Sequence, residues 1–228
     1  MAAMAIILNL ETATTNCSVS ISKGKEILCL KENNAVNYSH SEQLHVFIKE
    51  ALEEASLSFS DLDAIAVSKG PGSYTGLRIG VSAAKGLCFS LDIPLISIPT
   101  LQGMTLQVKL HTGEVAIPVL DARRMEVYSA VFDDQGKEVR ETRAEVVDDQ
   151  TFAEFAHFTK VHLVGSGAGK CQEVLQHSNF QFHTKVVPSA KEMSALAYAK
   201  FQARDFENVA YFEPYYLKDF ILQTSKKA

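Results

Sequence analysis

Two periodicities alternate along the chain. Ala5 to Leu10 is an apolar run ending at Glu11, which predicts a first strand. After the Thr/Asn-rich turn Thr12 to Asn16, the period-two alternation of Cys17 to Ile21 predicts a half-buried second one. Lys23-Gly24-Lys25 reads as a hairpin turn into a third strand, Ile27 to Leu30. The pattern then switches to helical spacing. Ser39-His40-Ser41-Glu42 has the form of a capping box, and Leu44, Phe47, Ile48, Ala51, Leu52 and Ala55 share one face of a helix over Ser39 to Ala55.

Ala64 to Val67 is short, apolar and partly β-branched, as a buried strand would be. It runs into Gly70-Pro71-Gly72-Ser73-Tyr74-Thr75-Gly76-Leu77-Arg78-Ile79-Gly80. Gly-Pro-Gly predicts a sharp turn, and Ser73 the N-cap of a helix to about Ser90. On that helix Leu77, Val81, Ala84, Cys88 and Leu91 form an apolar stripe, while Gly76, Gly80 and Ala83 form a second stripe of very small residues. Each interior glycine costs a helix about 1 kcal/mol relative to alanine, so the stripe implies close approach of another backbone. That backbone belongs either to the chain's own sheet or to a partner helix. Pro94 to Ile98 is a further short strand.

The order strand, terminal acid, turn, strand, turn then returns. Val115 to Leu120 ends at Asp121, Ala122-Arg123-Arg124-Met125 turns, and Val127 to Phe132 alternates. Residues 5–30 and 115–140 thus share a pattern suggestive of duplication, which places Glu11 and Asp121 near one opening between two halves. The alternation predicts an α/β fold with parallel strands covered by helices. Gly103 to Gly113 is the boundary between an N-terminal lobe, 1–103, and a less regular C-terminal lobe, 104–228. In the latter, Val161 to Val164 is a strand. The glycine turn Gly165-Ser166-Gly167-Ala168-Gly169 and a helix from Cys171 follow. That turn serves packing or close approach of a nucleotide, but it is no Walker A loop: Val164 stands at the first glycine position and Cys171 at the Ser/Thr position. Ser189 to Glu192 is a second capping box, opening a helix of about 190–203 that is expected to pack back on the first lobe with Met193, Leu196, Ala197 and Phe201 inward. Pro214-Tyr215-Tyr216-Leu217 lacks a helix pattern and is expected to cross the surface.

Composition narrows the function classes. At 228 residues, 46% hydrophobic and 21% charged, the chain has ample material for a core. A net charge of −5 argues against autonomous nucleic-acid binding, which wants a basic face. Cys17, Cys29, Cys88 and Cys171 form no CxxC and fit buried free thiols of a reducing compartment. The N-terminal apolar run has no basic leader, and no stretch reaches membrane length, so the cytoplasm is the expected location. Chemistry is sparse: there is no GxSxG elbow and no HExxH. His40 and His45 fall on different helix faces and suit surface or capping roles better than joint metal ligation. Glu11 and Asp121 either hold a magnesium-bound phosphate or merely bond turn amides.

Taken together, the Gly70 to Gly80 motif, Leu10-Glu11-Thr12-Ala13-Thr14-Thr15-Asn16-Cys17-Ser18-Val19, Ser39 to Glu42, Asp121 to Arg124 and Pro214 to Leu217 resemble the TsaB (YeaZ) family, in order and over nearly the whole chain. Glu11 departs from the aspartate more usual at its position. The resemblance implies a duplicated actin-like, sugar-kinase-like (ribonuclease-H-like) fold of two lobes, with mixed sheets flanked by helices. It also implies a non-catalytic subunit that pairs with a TsaD-like catalytic subunit and a TsaE-like ATPase to place threonylcarbamoyl on the adenosine beside the tRNA anticodon. The implied subunit is a homodimer when alone, meets tRNA only through the complex, and has no cofactor of its own, with ATP or ADP and magnesium met in the assembly. The implied partner surface is His40, Leu44, Ser73, Tyr74, Gly76, Leu77, Arg78, Gly80 and Ala83, on which Gly80→Arg should abolish pairing while leaving the monomer folded. Phosphate contacts would fall to Glu11, Thr12, Thr14, Thr15, Asp121, Arg123, Gly165 and Gly167. The paralogous TsaD family carries an HxEGH-type metal motif; its histidines align with Thr100 and Met104 here and its glutamate with Gln102, with Gly103 kept. Neither threonine nor methionine is a usual ligand of a catalytic divalent ion. An alternative is a stand-alone actin-like ATPase or small-molecule kinase using Glu11, Asp121 and the glycine turn. A metallopeptidase reading fails on the missing ligands.

Overall fold

The computed structural model describes residues 4–34 and 40–217. Two five-stranded sheets repeat one topology. The first joins β1 (Ile6–Glu11), β2 (Asn16–Lys23), β3 (Glu26–Asn34), β4 (Ala64–Gly70) and β5 (Leu95–Pro99) in the order β3-β2-β1-β4-β5. The second joins β6 (Glu114–Asp121), β7 (Glu126–Asp133), β8 (Glu138–Val146), β9 (Lys160–Val164) and β10 (Phe180–His183) in the matching order β8-β7-β6-β9-β10. In each, the first three strands form an antiparallel meander, and the fourth and fifth add in parallel after crossover connections. The fold is therefore the duplicated, actin-like α/β arrangement, and β1 and β6 are equivalent central strands.

The helices break the symmetry. The first lobe carries α1 (His40–Glu54) and α2 (Tyr74–Leu91); between β8 and β9 stands only a 3-10 turn, Ala153–Phe155, and α2 has its counterpart in the seven-residue α4 (Ala168–Val174). The long helix pair thus belongs to one lobe. Alternation along β1 explains why it needs cover on both faces. Leu8 and Leu10 join Val19, Ile21, Ile65 and Val67 under Leu44, Ile48 and Leu52 of α1 and Val81, Ala84 and Cys88 of α2. Ile7, with Ala64, Ala66, Ile96 and Ile98, lies under Ala190, Met193 and Ala197 of α5 (Ala190–Ala203), beside the half-buried Leu196 and Phe201. Conversely Leu101 and Met104 of α3 (Thr100–Thr105) cover Leu120, Ala130 and Phe132 of the second sheet. Each half sends its last helix to the other half's sheet.

The Ser73 cap forms as expected, accepting from the Gly76 amide at 3.2 Å, and α2 ends at Asp92 in a left-handed cap. Ser189 caps α5 by accepting from the Lys191 amide at 3.2 Å. Ser39 lies outside the described residues. Three expectations are corrected. The helix after the glycine turn begins at Ala168 rather than Cys171, because Gly167 already provides its first carbonyl. α3, β8 and β10 are present where the pattern showed no regular element. His40 is 2% exposed and belongs to the interior rather than to the surface. All four cysteines are buried free thiols, with Cys17 pushed up to about 11 and Cys88 to about 12 by burial. Among the described residues no helix is long and apolar enough to cross a membrane.

Candidate functional site

The turn after β1 and the small-residue stripe of α2 form one packed unit. Glu11 is 2% exposed, and its Oε1 accepts from the Ala13 amide at 2.6 Å and from the Ser68 hydroxyl at 2.9 Å. Thr12 donates its hydroxyl to the Gly76 carbonyl at 2.8 Å, the Ser73 amide donates to the Ala13 carbonyl at 2.6 Å, and His40 Nε2 donates to the Thr14 carbonyl at 2.6 Å. A Cβ at Gly76 would overlap the Thr12 carbonyl oxygen, and one at Gly80 the Thr12 hydroxyl. The close backbone announced by the glycines is thus the chain's own β1–β2 turn. His40, Leu44, Gly76, Leu77 and Gly80, expected at a partner surface, are buried within the monomer. Gly80→Arg therefore perturbs the fold and cannot report on pairing alone.

Most of the expected phosphate contacts are likewise engaged, Arg123 being exposed. Thr14 Oγ1 accepts from the Asn16 amide at 3.4 Å and Thr15 Oγ1 donates to Asn34 at 2.7 Å. Asp121 occupies in β6 the place of Glu11 in β1 but is exposed, accepting from the Arg123 amide at 2.6 Å and pairing with Lys170 at 2.9 Å. In the glycine turn the Gly165 amide donates to His183, the Gly167 amide to Val119 and the Ala168 amide to Gly165, each at 3.0 Å. A Cβ at Gly165 would overlap Met104 Cε. These glycines serve packing, and their amides are taken. Met104 is fully buried and Thr100 is 2% exposed.

Burial raises Glu11 from 4.5 to about 7, against the lowering effect of its bonds to Ala13 and Ser68. The sign follows from linkage. Between pH 4.5 and about 7 the folded chain holds a proton the unfolded chain has lost, so stability falls as pH rises through that window and levels above it. Urea unfolding should show a stability loss from this group of about 2 kcal/mol between pH 5.5 and 8, absent in Glu11→Gln, which keeps an acceptor for Ala13 and Ser68. A wild-type minus Gln difference that does not change with pH would rule this out.

A groove of about 780 Å³ lies open between α1 and α2. Ser41 and His45 line it from α1; Tyr74, Arg78, Ser82 and Gly86 are among its residues from α2. Of the expected surface, Tyr74, Arg78 and Ala83 line it and Ser73 is half-buried beside it. Sequence reasoning passed over Ser82, Gly86, Val46 and Phe89. Phe89 is 84% exposed and Val46 50%, each protruding from one of the two helices. The signal was available: Phe89 follows Cys88 and lies off the apolar stripe of α2.

Fold and groove define a duplicated actin-like α/β protein with an open groove between two long helices. A family model described as "TsaD: tRNA N6-adenosine threonylcarbamoyltransferase" matches residues 34–226. The TsaB protein of Haemophilus influenzae, described as a tRNA threonylcarbamoyladenosine biosynthesis protein, is 36% identical over 123 residues. That match covers 54% of this chain and 51% of the relative, so the chain spans about half its length. The Escherichia coli TsaB protein is 28% identical over 227 residues, 93% of this chain and 94% of its own. YeaZ from Pseudomonas aeruginosa superposes with a TM-score of 0.76 at 23% identity, covering 94% of this chain and 100% of that one. The chain belongs to the tRNA N6-adenosine threonylcarbamoyltransferase family, within its TsaB (YeaZ) branch.

Proposed function

We propose that this chain is a non-catalytic subunit in tRNA threonylcarbamoyladenosine biosynthesis, docking a TsaD-like catalytic subunit in the groove between α1 and α2. The observation that carries the reading is the groove itself: two long helices flank an open channel lined on the α2 side by the small residues Ser82, Ala83 and Gly86 together with Tyr74 and Arg78. Small residues on a helix face let a second helix pack ridge into groove, and the groove's Tyr74 and Arg78 are of the residue types enriched at interface hot spots. Support for a non-catalytic role comes from Met104, whose side chain fills the apolar layer with Leu101, Leu120 and Phe132 where the TsaD family carries a metal histidine.

In this reading the chain pairs with itself when alone and works in the cytoplasm. A TsaE-like ATPase joins the assembly, ATP or ADP with magnesium is met there, and tRNA is met only through the complex. The reading of a stand-alone ATPase or kinase loses support because Glu11 and the Gly165 and Gly167 amides already have partners. Light scattering after size-exclusion chromatography tests the proposal, with the chain alone and mixed with the TsaD-like subunit of the same organism. The expected result is a species of mixed-pair mass that replaces any homodimer. No mixed species, with or without nucleotide, would overturn it, and magnesium-dependent ATP hydrolysis by the purified chain would favour the kinase-like alternative.

A further inference from the structure

After α5 the chain runs as a strap across the first lobe. The Glu207 amide donates to the Leu95 carbonyl at 2.8 Å, and its carboxylate accepts from Ser97 at 2.5 Å. Lys85 of α2 donates to the carbonyls of Ala210 at 3.1 Å and Phe212 at 2.9 Å, and the Tyr215 amide donates to Lys69 at 2.7 Å. The next residue, Tyr216, reaches the first turn of α2. Its ring lies 4.9 Å from that of Tyr74, and its hydroxyl accepts from Arg78 Nε at 3.3 Å. The Arg78 guanidinium carbon sits 4.1 Å over the Tyr74 ring.

One face and the Nε edge of this guanidinium are therefore held, while its two Nη groups form no hydrogen bond or ion pair among the described residues. Glu213 on the strap adds a favourable field without an ion pair. The groove residues include two basic side chains, His45 and Arg78, and no acidic one, in a chain of net charge −5. A guanidinium fork matches a carboxylate bidentately, and one already stacked loses less freedom when it does so.

We infer that the strap, through Tyr216, holds Arg78 as the anchor for a carboxylate of the docking protein. The strap is thereby part of the docking surface. A second copy meeting groove to groove would bring the same Arg78 and His45 against groove residues that include no acid, the Glu213 that acts on Arg78 lying on the strap and not in the groove, so the arrangement favours an acidic partner over self-pairing. The inference rests on the reading that this groove takes the TsaD-like subunit, with Tyr216 as a positioning residue.

The test titrates that subunit against wild type, Arg78→Ala, Tyr216→Phe and the double variant at low and high salt, and measures self-association of each. Arg78→Ala should weaken mixed pairing about tenfold or more and flatten its salt dependence, as loss of a paired charge does. Tyr216→Phe, which keeps the ring, should weaken it severalfold, with no further effect in the Arg78→Ala background. Self-association should be unchanged or tighter in both. Unchanged mixed pairing in Arg78→Ala would overturn the inference alone, as would an equal effect of Tyr216→Phe in both backgrounds, or equal loss of self-association. Failure of wild type to pair would remove the underlying reading and the inference with it. Both residues are outside the core, and circular dichroism of the variants separates lost pairing from lost fold.

Discussion

Gly76→Ala should destabilise the monomer by about 3 kcal/mol or more, although alanine is the better helix former by about 1 kcal/mol. The new methyl would overlap the Thr12 carbonyl and sit 3.3 Å from both His40 Cδ2 and Ser73 Cβ. The obstacle is backbone, so relief requires the β1–β2 turn to withdraw from α2. Withdrawal strains three bonds together: Thr12 to Gly76, Ser73 to Ala13 and His40 to Thr14. It also loosens the turn amides that hold buried Glu11. Gly86 provides the control, because a Cβ there meets nothing within 4 Å. Gly86→Ala should stabilise by up to about 1 kcal/mol. For a chain of this length, thermal unfolding should fall by about 6–12 °C for Gly76→Ala and rise slightly for Gly86→Ala. Equal shifts for the two would mean that the turn does not rest on Gly76.

That contrast shows what the sequence carries and what it leaves out. Interior glycines at Gly76 and Gly80 announce that a backbone comes close, and one does. Nothing in the spacing says whose backbone it is, and the β1–β2 turn is more than 60 residues away. The open groove lay one stripe over, at Ser82 and Gly86, and a Cβ added at Gly86 would meet nothing within 4 Å. The duplication was legible in strands ending at Glu11 and Asp121, since buried central strands are apolar on both faces. The polar edge was not. β8 reads Glu-Val-Arg-Glu-Thr-Arg-Ala-Glu-Val, with Val139 and Val146 exposed, and its charges are satisfied only in three dimensions. Arg140 pairs with Glu145 at 2.6 Å and stacks 5.0 Å from the Phe152 ring. α3 was hidden for a related reason: six residues with an internal glycine carry little helical signal, and its Leu101 and Met104 answer to the sheet of the other half.

Gly86→Arg should abolish pairing through α1 and α2 while leaving the monomer folded, the separation that Gly80→Arg cannot provide. Gly86 is exposed on the groove side of α2, two turns beyond Arg78, and has no neighbour within 4 Å of an added Cβ. Arginine costs the helix nothing and improves on glycine by up to about 1 kcal/mol, so the isolated chain should melt no lower than wild type. In the assembled pair the long side chain would occupy the channel between the helices, where close packing leaves no room for it. The expected loss of affinity is about a hundredfold or more, corresponding to about 3 kcal/mol. Size-exclusion with light scattering should show a monomer mass for the variant alone and no mixed species with the TsaD-like subunit. A variant that melts normally and still forms the mixed species would move the partner to another face of the molecule, since no helix could then lie along this groove.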